Sequence, residues 1–322
     1  MTGPTAAAAA RQDGHMADPR FRADLYDGTA EWYDAYRPPY PPELIDDLVT
    51  RIGADGTGRL LDIACGTGQV PFAVRGCFAE IWAADQEPGM IAVAAGKAAD
   101  DAARFRFITG TAEDLEAPSG VFDLVTIGNA FHRLRRDVVA ANVRRWLRPG
   151  GYLALLWGGS PWNGGAPWQQ TLQVVMHRWQ HRSGADERIP AGYDEARRAH
   201  PDLDILAAAG FAIIATFQAT VSRAWTADEI AGYLRSTSVL SSAALGHEAD
   251  DFDADLRNAL RSCQRDELYL QDLTFSCELA RVPLLGLQRG PIVARSCTSA
   301  EGRNDLLHQQ VARVLSAGHG ST

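Results

Sequence analysis

Between residues 59 and 157, short apolar runs alternate with helix-patterned stretches, and this alternation narrows the fold more than any other feature of the chain. Strands are predicted at Arg59 to Ala64, Glu80 to Ala84, Arg104 to Thr109, Phe122 to Ile127 and Tyr152 to Trp157. Helices are predicted from near Gln69, Pro88 and Leu134, and the RPGG at 148–151 reads as the turn joining the last of them to the fifth strand. Such an order closes its hydrogen bonds as a parallel sheet covered by helices on both faces, and sheets of that kind bind ligands at the carboxyl ends of their strands. Upstream, Glu43 to Ile52 puts Leu44, Ile45, Leu48, Val49 and Ile52 on one helical face, with Pro42 as a start and Gly53 as a stop.

The segments that follow the strands therefore hold the candidate site. In LLDIACGTGQVP, from Leu60 to Pro71, Gly66 and Gly68 allow a nucleotide to lie against backbone. A dinucleotide fingerprint needs a third glycine at position 71 to pack a helix under a pyrophosphate, and Pro71 stands there instead. That substitution counts against an NAD-dependent oxidoreductase, which stays as a remote alternative. Asp85 lies about 20 residues beyond the glycine turn, where a ribose-binding acid belongs because its two oxygens can accept both hydroxyls. A solvated loop carboxylate is the plainer reading of the same residue.

Charge and cysteine usage remove other classes. With a net charge of −9 the chain lacks the basic face that phosphate neutralisation requires, so nucleic acid is not expected as a partner. No apolar run approaches the ~18 residues of a membrane span, and the opening MTGPTAAAAARQDGHMADPR lacks the plan of a secretory signal. Residues 1–20 read as a disordered tail. Cys65, Cys77, Cys263, Cys277 and Cys297 are scattered without C-x-x-C pairs, which speaks against a zinc site or a disulfide framework and fits a reducing cytoplasm. No metal is expected.

Beyond Trp157 the rhythm breaks in a Gly-, Pro- and Trp-rich loop, followed by a predicted helix around Leu172 to His181. Regular structure resumes at Leu203 to Ala209, and Phe211 to Val221 and Asp272 to Val282 read as two further strands. This gives one domain over 21–282, with a cap insertion around 158–202, a helical insertion around 226–270 and a C-terminal extension over 283–322 that holds one predicted helix, Asn304 to Leu315.

LLDIACGTG, AADQEPGM, GTAEDL, FDLVTIGNAFHR and LRPGGYLALLW resemble, in order and spacing, the successive motifs of class I S-adenosylmethionine-dependent methyltransferases, and YDAYRPPYP at 33–41 resembles the amino-terminal lid of many small-molecule members. The match covers roughly residues 20–160. It implies a Rossmann-like α/β fold with a seven-stranded, mostly parallel sheet, and S-adenosylmethionine as cofactor with S-adenosylhomocysteine as product. By that resemblance Asp62 fixes the loop and the methionine end, Gly66 and Gly68 admit the cofactor, and Asp85 with Gln86 takes the ribose. Met90 packs on adenine, which Asp114 recognises with backbone at Ala112 and Glu113. Tyr33 and Arg37 close over the methionine end, Arg37 offering a charge to its carboxylate. Ala64 replaces a glycine common in the family's pattern. Because this cofactor has no pyrophosphate, Pro71 ceases to be an anomaly.

His132 follows the fourth strand, where the methyl group emerges in the family, and is the leading base or orienting residue, with Asn129 beside it as a cofactor or substrate contact. Trp157 and Trp162 are candidates for the acceptor wall, against ordinary packing. Residues 183–272 hold sixteen Asp and Glu against eight Arg, so an acceptor of cationic, amino-sugar type is expected, with Asp186, Glu187, Asp194 and Glu195 nearest the cap. The chain as a whole, including WTADEIAGYLRSTS at 225–238, is similar to antibiotic-pathway methyltransferases that act on an aminoglycoside sugar amine of the gentamicin type. An O- or carboxyl-methyltransferase is the nearest alternative, and a cofactor-binding protein without turnover a further one. Nothing in the sequence fixes the oligomeric state.

Overall fold

The computed structural model describes residues 22, 24–189, 195, 198–264 and 267–284. Most of the expected tail and C-terminal extension, the predicted helix at Asn304 to Leu315 and Cys297 lie outside them. Two helices, α1 (Ala30–Tyr36) and α2 (Pro42–Ile52), precede the sheet. Pro42 opens α2 and Gly53 closes it at φ 65°, a left-handed turn that glycine adopts without penalty. The helix buries Leu44, Ile45 and Leu48, worth about 1.5–3 kcal/mol each.

The sheet then alternates β1 (Arg59–Ile63), α3 (Gln69–Ala73), β2 (Glu80–Asp85), α4 (Pro88–Lys97), β3 (Phe105–Thr109), β4 (Phe122–Gly128), α5 (Arg136–Trp146) and β5 (Leu147–Trp157). After β5 come α6 (Pro167–Arg182), α7 (Asp202–Ala208), β6 (Ala212–Trp225), α8 (Ala227–Arg235), α9 (Ser242–Leu245), α10 (Ala249–Cys263) and β7 (Tyr269–Arg281). The seven strands lie in the order β3-β2-β1-β4-β5-β7-β6. β1 to β5 pair in parallel, and β7 enters antiparallel between β5 and β6. The expected seven-stranded, mostly parallel sheet is therefore present.

Alternate residues of the central strands feed two cores. Leu60, Ile81, Leu124 and Leu156 join α2, α6, α8 and α10 on one face, while Leu61, Ile63, Val125 and Leu155 join α5 on the other. The predicted cap and helical insertion share the first of these cores: Trp179 of α6 meets Phe252 of α10 edge-on at 5.7 Å, and its Nε1 donates to Asp255 Oδ2 at 2.7 Å. Segments some 70 residues apart thus make a single helical layer.

Two local expectations change. RPGG is part of β5 and not a turn: Leu147 pairs with Phe122, and Gly150, at φ 81°, donates its N–H to Val282 O at 3.0 Å, so sheet partners satisfy this backbone. The helix expected from Leu134 begins at Arg136, because Phe131–Arg133 first makes a 3-10 turn.

Candidate functional site

The strand ends open into a cavity of about 420 Å³, within the ~300–1,000 Å³ usual for small-molecule sites. Its floor is the β1–α3 turn. Ala64 and Gly66 both take left-handed backbone, φ 52° and 54°, which turns their peptide groups toward the cavity. The aspartate closing β2 holds this turn in place: Asp85 Oδ2 accepts from Gly66 N at 2.8 Å and Oδ1 from Glu87 N at 2.9 Å. Both oxygens are engaged, each with a further lone pair to offer. Burial pushes the Asp85 carboxyl above its ordinary value, while the two backbone donors oppose that rise.

Met90 from α4, with Ala112, Glu113 and Asp114 after β3, lines one end of the cavity. Asp114 is held by Thr111, whose hydroxyl donates to Oδ2 at 2.8 Å and accepts from Asp114 N at 3.2 Å. Glu113 Oε1 accepts from Arg135 N at 2.7 Å and so ties the post-β3 loop to the turn after β4. Tyr33 and Asn129 line the wall elsewhere. A Cβ on Gly66 would come within 3.5 Å of the Tyr33 ring, which places α1 directly over the glycine turn. Asn129, at φ 53°, accepts on Oδ1 from Gly158 N at 2.8 Å and so couples the end of β4 to the end of β5.

Of the expected cofactor residues, Tyr33, Ala64, Gly66, Asp85, Gln86, Met90, Ala112, Glu113, Asp114 and Asn129 share this wall. Asp62, Gly68 and Arg37 do not. Asp62 is buried between β1 and β4, where the Thr126 hydroxyl donates to it. Its carboxyl is pushed up to about 8 by burial, with the Thr126 bond opposing and the Asp85 charge adding. Gly68, at φ 89°, precedes α3 so closely that a Cβ would lie 2.5 Å from the Phe72 ring; it shapes the turn from behind. Arg37 sits behind Tyr33, its guanidinium 4.8 Å from that ring. Its fork is taken by α8 and the residue after it: Nε donates to Ser236 Oγ at 2.7 Å, Nη1 to Tyr233 Oη at 2.9 Å and Nη2 to Ser236 O at 3.3 Å.

The expected catalytic and acceptor residues also fall outside the wall. His132, in the 3-10 turn, packs half-buried against Trp157 with ring centroids 5.6 Å apart. Trp162 meets Tyr233 edge-on at 5.6 Å. Asp186 is exposed beside His181, Glu187 is exposed, and exposed Glu195 pairs with Arg198 at 2.7 Å. None of these three acids lines the cavity. Asp194 lies outside the described residues. Conversely, Leu25, Tyr26, Arg133 and Leu134 line the cavity without having been singled out. Arg133 closes the FDLVTIGNAFHR motif and Leu134 follows it, so the motif carried the signal for the first and bordered the second.

A profile of the methyltransferase domain matches residues 60–151, the stretch from β1 through the start of β5. Over those residues the chain is similar to the methyltransferase-domain family. An uncharacterised methyltransferase of Mycobacterium tuberculosis (strain ATCC 25618 / H37Rv) is 32% identical over 125 residues, covering 39% of this chain and 48% of the relative. A demethylmenaquinone methyltransferase of Thermus thermophilus is 37% identical over 101 residues, 30% of this chain and 46% of the relative. The chain spans about half the length of these curated relatives. A candidate type II methyltransferase from Anaeromyxobacter dehalogenans superposes with a TM-score of 0.55 at 21% identity, over 78% of this chain and 100% of that one. The chain accordingly has the Rossmann-like fold of class I methyltransferases. Among the described residues no cluster of three or more His, Cys, Asp or Glu could hold a metal ion, and no helix is long and apolar enough to cross a membrane.

Proposed function

We propose that the chain transfers a methyl group from S-adenosylmethionine to a small molecule. The observation that carries this reading is the Asp85 clasp on Gly66, which fixes a turn with left-handed backbone at Ala64 and Gly66 on the floor of a strand-end cavity. The residues suit that cofactor. Asp85 retains lone pairs for ribose hydroxyls, Met90 and Ala112 offer apolar surface to adenine, and the Asp114 carboxylate held by Thr111 can accept from its amino group. Pro71 is buried at the start of α3, where a dinucleotide site would need the third glycine.

When bound, the cofactor supplies an electrophilic methyl on a sulfonium. The protein's task is then chiefly to align, and alignment is worth about 7–11 kcal/mol. Deprotonating an amine whose pKa lies one to two units above neutrality costs only about 1.4–2.7 kcal/mol. A hydroxyl acceptor would require a dedicated base. His132 lies off the cavity wall. His132 then acts as an orienting residue, through Trp157 at the end of β5.

The finer reading, N-methylation of an aminoglycoside sugar in antibiotic biosynthesis, is supported by the resemblance of residues 225–238. An O- or carboxyl-methyltransferase is the alternative. Incubation with S-adenosylmethionine and panels of amines, alcohols and carboxylic acids, read by mass spectrometry, tests both levels. A methylene-mass gain on amines alone is the expected result. Product only from hydroxyl or carboxyl acceptors overturns the amine reading, and no product across all three panels overturns turnover itself.

A further inference from the structure

Although the chain carries a net charge of −9, the roof beside the cavity gathers guanidinium groups with little to balance them. Arg37, Arg133 and Arg188 reach one buried segment, Ser236 to Ser238, from three separate parts of the fold. Arg133 Nη2 donates to Ser238 Oγ at 3.0 Å, and Arg188 Nη1 donates to Ser238 O at 3.1 Å. Arg188 also lies 3.6 Å from Asp24, but that exposed carboxylate is already engaged by Arg22 at 2.7 Å. Among the described residues, neither Arg37 nor Arg133 has a carboxylate within 4.0 Å.

Arg37 is withdrawn behind Tyr33, whereas Arg133 lines the cavity itself. Its Nε is out of solvent and makes no hydrogen bond to any described residue. Holding a guanidinium partly desolvated, with an unsatisfied N–H and no counter-charge, is costly unless an anion completes its surroundings. The acids on the same wall, Asp85, Glu87, Glu113 and Asp114, are turned to other partners, and among the described residues none comes within 4.0 Å of the Arg133 guanidinium.

We propose that the acceptor carries an anionic group, a carboxylate or a phosphate, received by Arg133, the guanidinium that the Ser236 to Ser238 segment anchors at the cavity wall. The inference rests on the methyltransferase reading and narrows its acceptor. An amine nucleophile is compatible with it when the same molecule bears an acidic group; an unsubstituted aminoglycoside bears none, so anion binding at Arg133 would count against the finer aminoglycoside reading while leaving methyl transfer to an amine intact.

The test uses the full-length protein saturated with S-adenosylhomocysteine and titrated at constant ionic strength with inorganic phosphate and, separately, with acetate, followed by calorimetry. Saturable binding of at least one anion is expected, weakened about tenfold or more by Arg133→Gln and less by Arg133→Lys. The affinity of both variants for S-adenosylhomocysteine should stay within about twofold of the parent, which also shows that they fold. Absence of saturable anion binding, or equal affinity in Arg133→Gln, overturns the proposal. Loss of S-adenosylhomocysteine binding in the folded Arg133→Gln variant assigns the charge to the cofactor's own carboxylate and also overturns it. If the unaltered protein fails to bind S-adenosylhomocysteine, the methyltransferase reading falls first and this inference with it.

Discussion

The cavity floor and its roof are satisfied by opposite chemistry. On the floor, carboxylates accept from backbone amides, as Asp85 does from Gly66 only 19 residues away. In the roof, guanidinium groups donate to serine hydroxyls and carbonyls across long separations: 199 residues for Arg37 to Ser236 and 105 for Arg133 to Ser238. The floor is thus a local product of strand ends and their turns. The roof exists only after the helices following β5 have packed over the sheet, so its charge pattern belongs to the tertiary fold.

The largest expected effect breaks the floor. Asp85→Ala strands the Gly66 and Glu87 amides, at about 1–3 kcal/mol each, and should weaken S-adenosylhomocysteine binding at least tenfold by calorimetry. Unchanged affinity would mean that the clasp does not hold the turn. At the junction of floor and roof, His132→Ala should lower turnover at least about tenfold while cofactor affinity changes little; equal losses in both would assign His132 to the cofactor side.

A subtler separation concerns pH. The Asp62 carboxyl is pushed up to about 8 from an ordinary 3.8, so between these values the folded state holds a proton that the unfolded state has released. Stability from this group is therefore complete below the lower value and declines as pH rises through the window. Urea midpoints at pH 5 and pH 8 should show the decline in the parent and a flatter profile in Asp62→Asn. The smallest effect is expected at Ala64, a non-glycine residue at φ 52°. Ala64→Gly should relieve about 1 kcal/mol of left-handed strain, offset in part by unfolded-state entropy, and raise the thermal midpoint by a few degrees or less.

Legibility in the sequence follows the same division. The parallel strands, the glycine turn, Asp85 and Asp114 were readable because each lies at a fixed short offset from a strand, and the sheet brings strand ends together. Arg37 was readable as a charge near the lid but not in its placement, since Ser236 and Tyr233 are remote in sequence. The acids Asp186, Glu187 and Glu195 could not be placed for a related reason: composition reports how many charges a segment carries, not which way its helices face, and in the structure all three are exposed. RPGG misled because turn-forming residues can also make an irregular strand when β4 and the residues after β7 supply partners.

The most direct test of the central claim is a paired calorimetric titration of the full-length protein with S-adenosylhomocysteine and with NAD. The account predicts stoichiometric binding of S-adenosylhomocysteine, weakened in Asp85→Ala, and no comparable heat from NAD. Preferential binding of NAD, or no binding of S-adenosylhomocysteine by the folded protein, would contradict it.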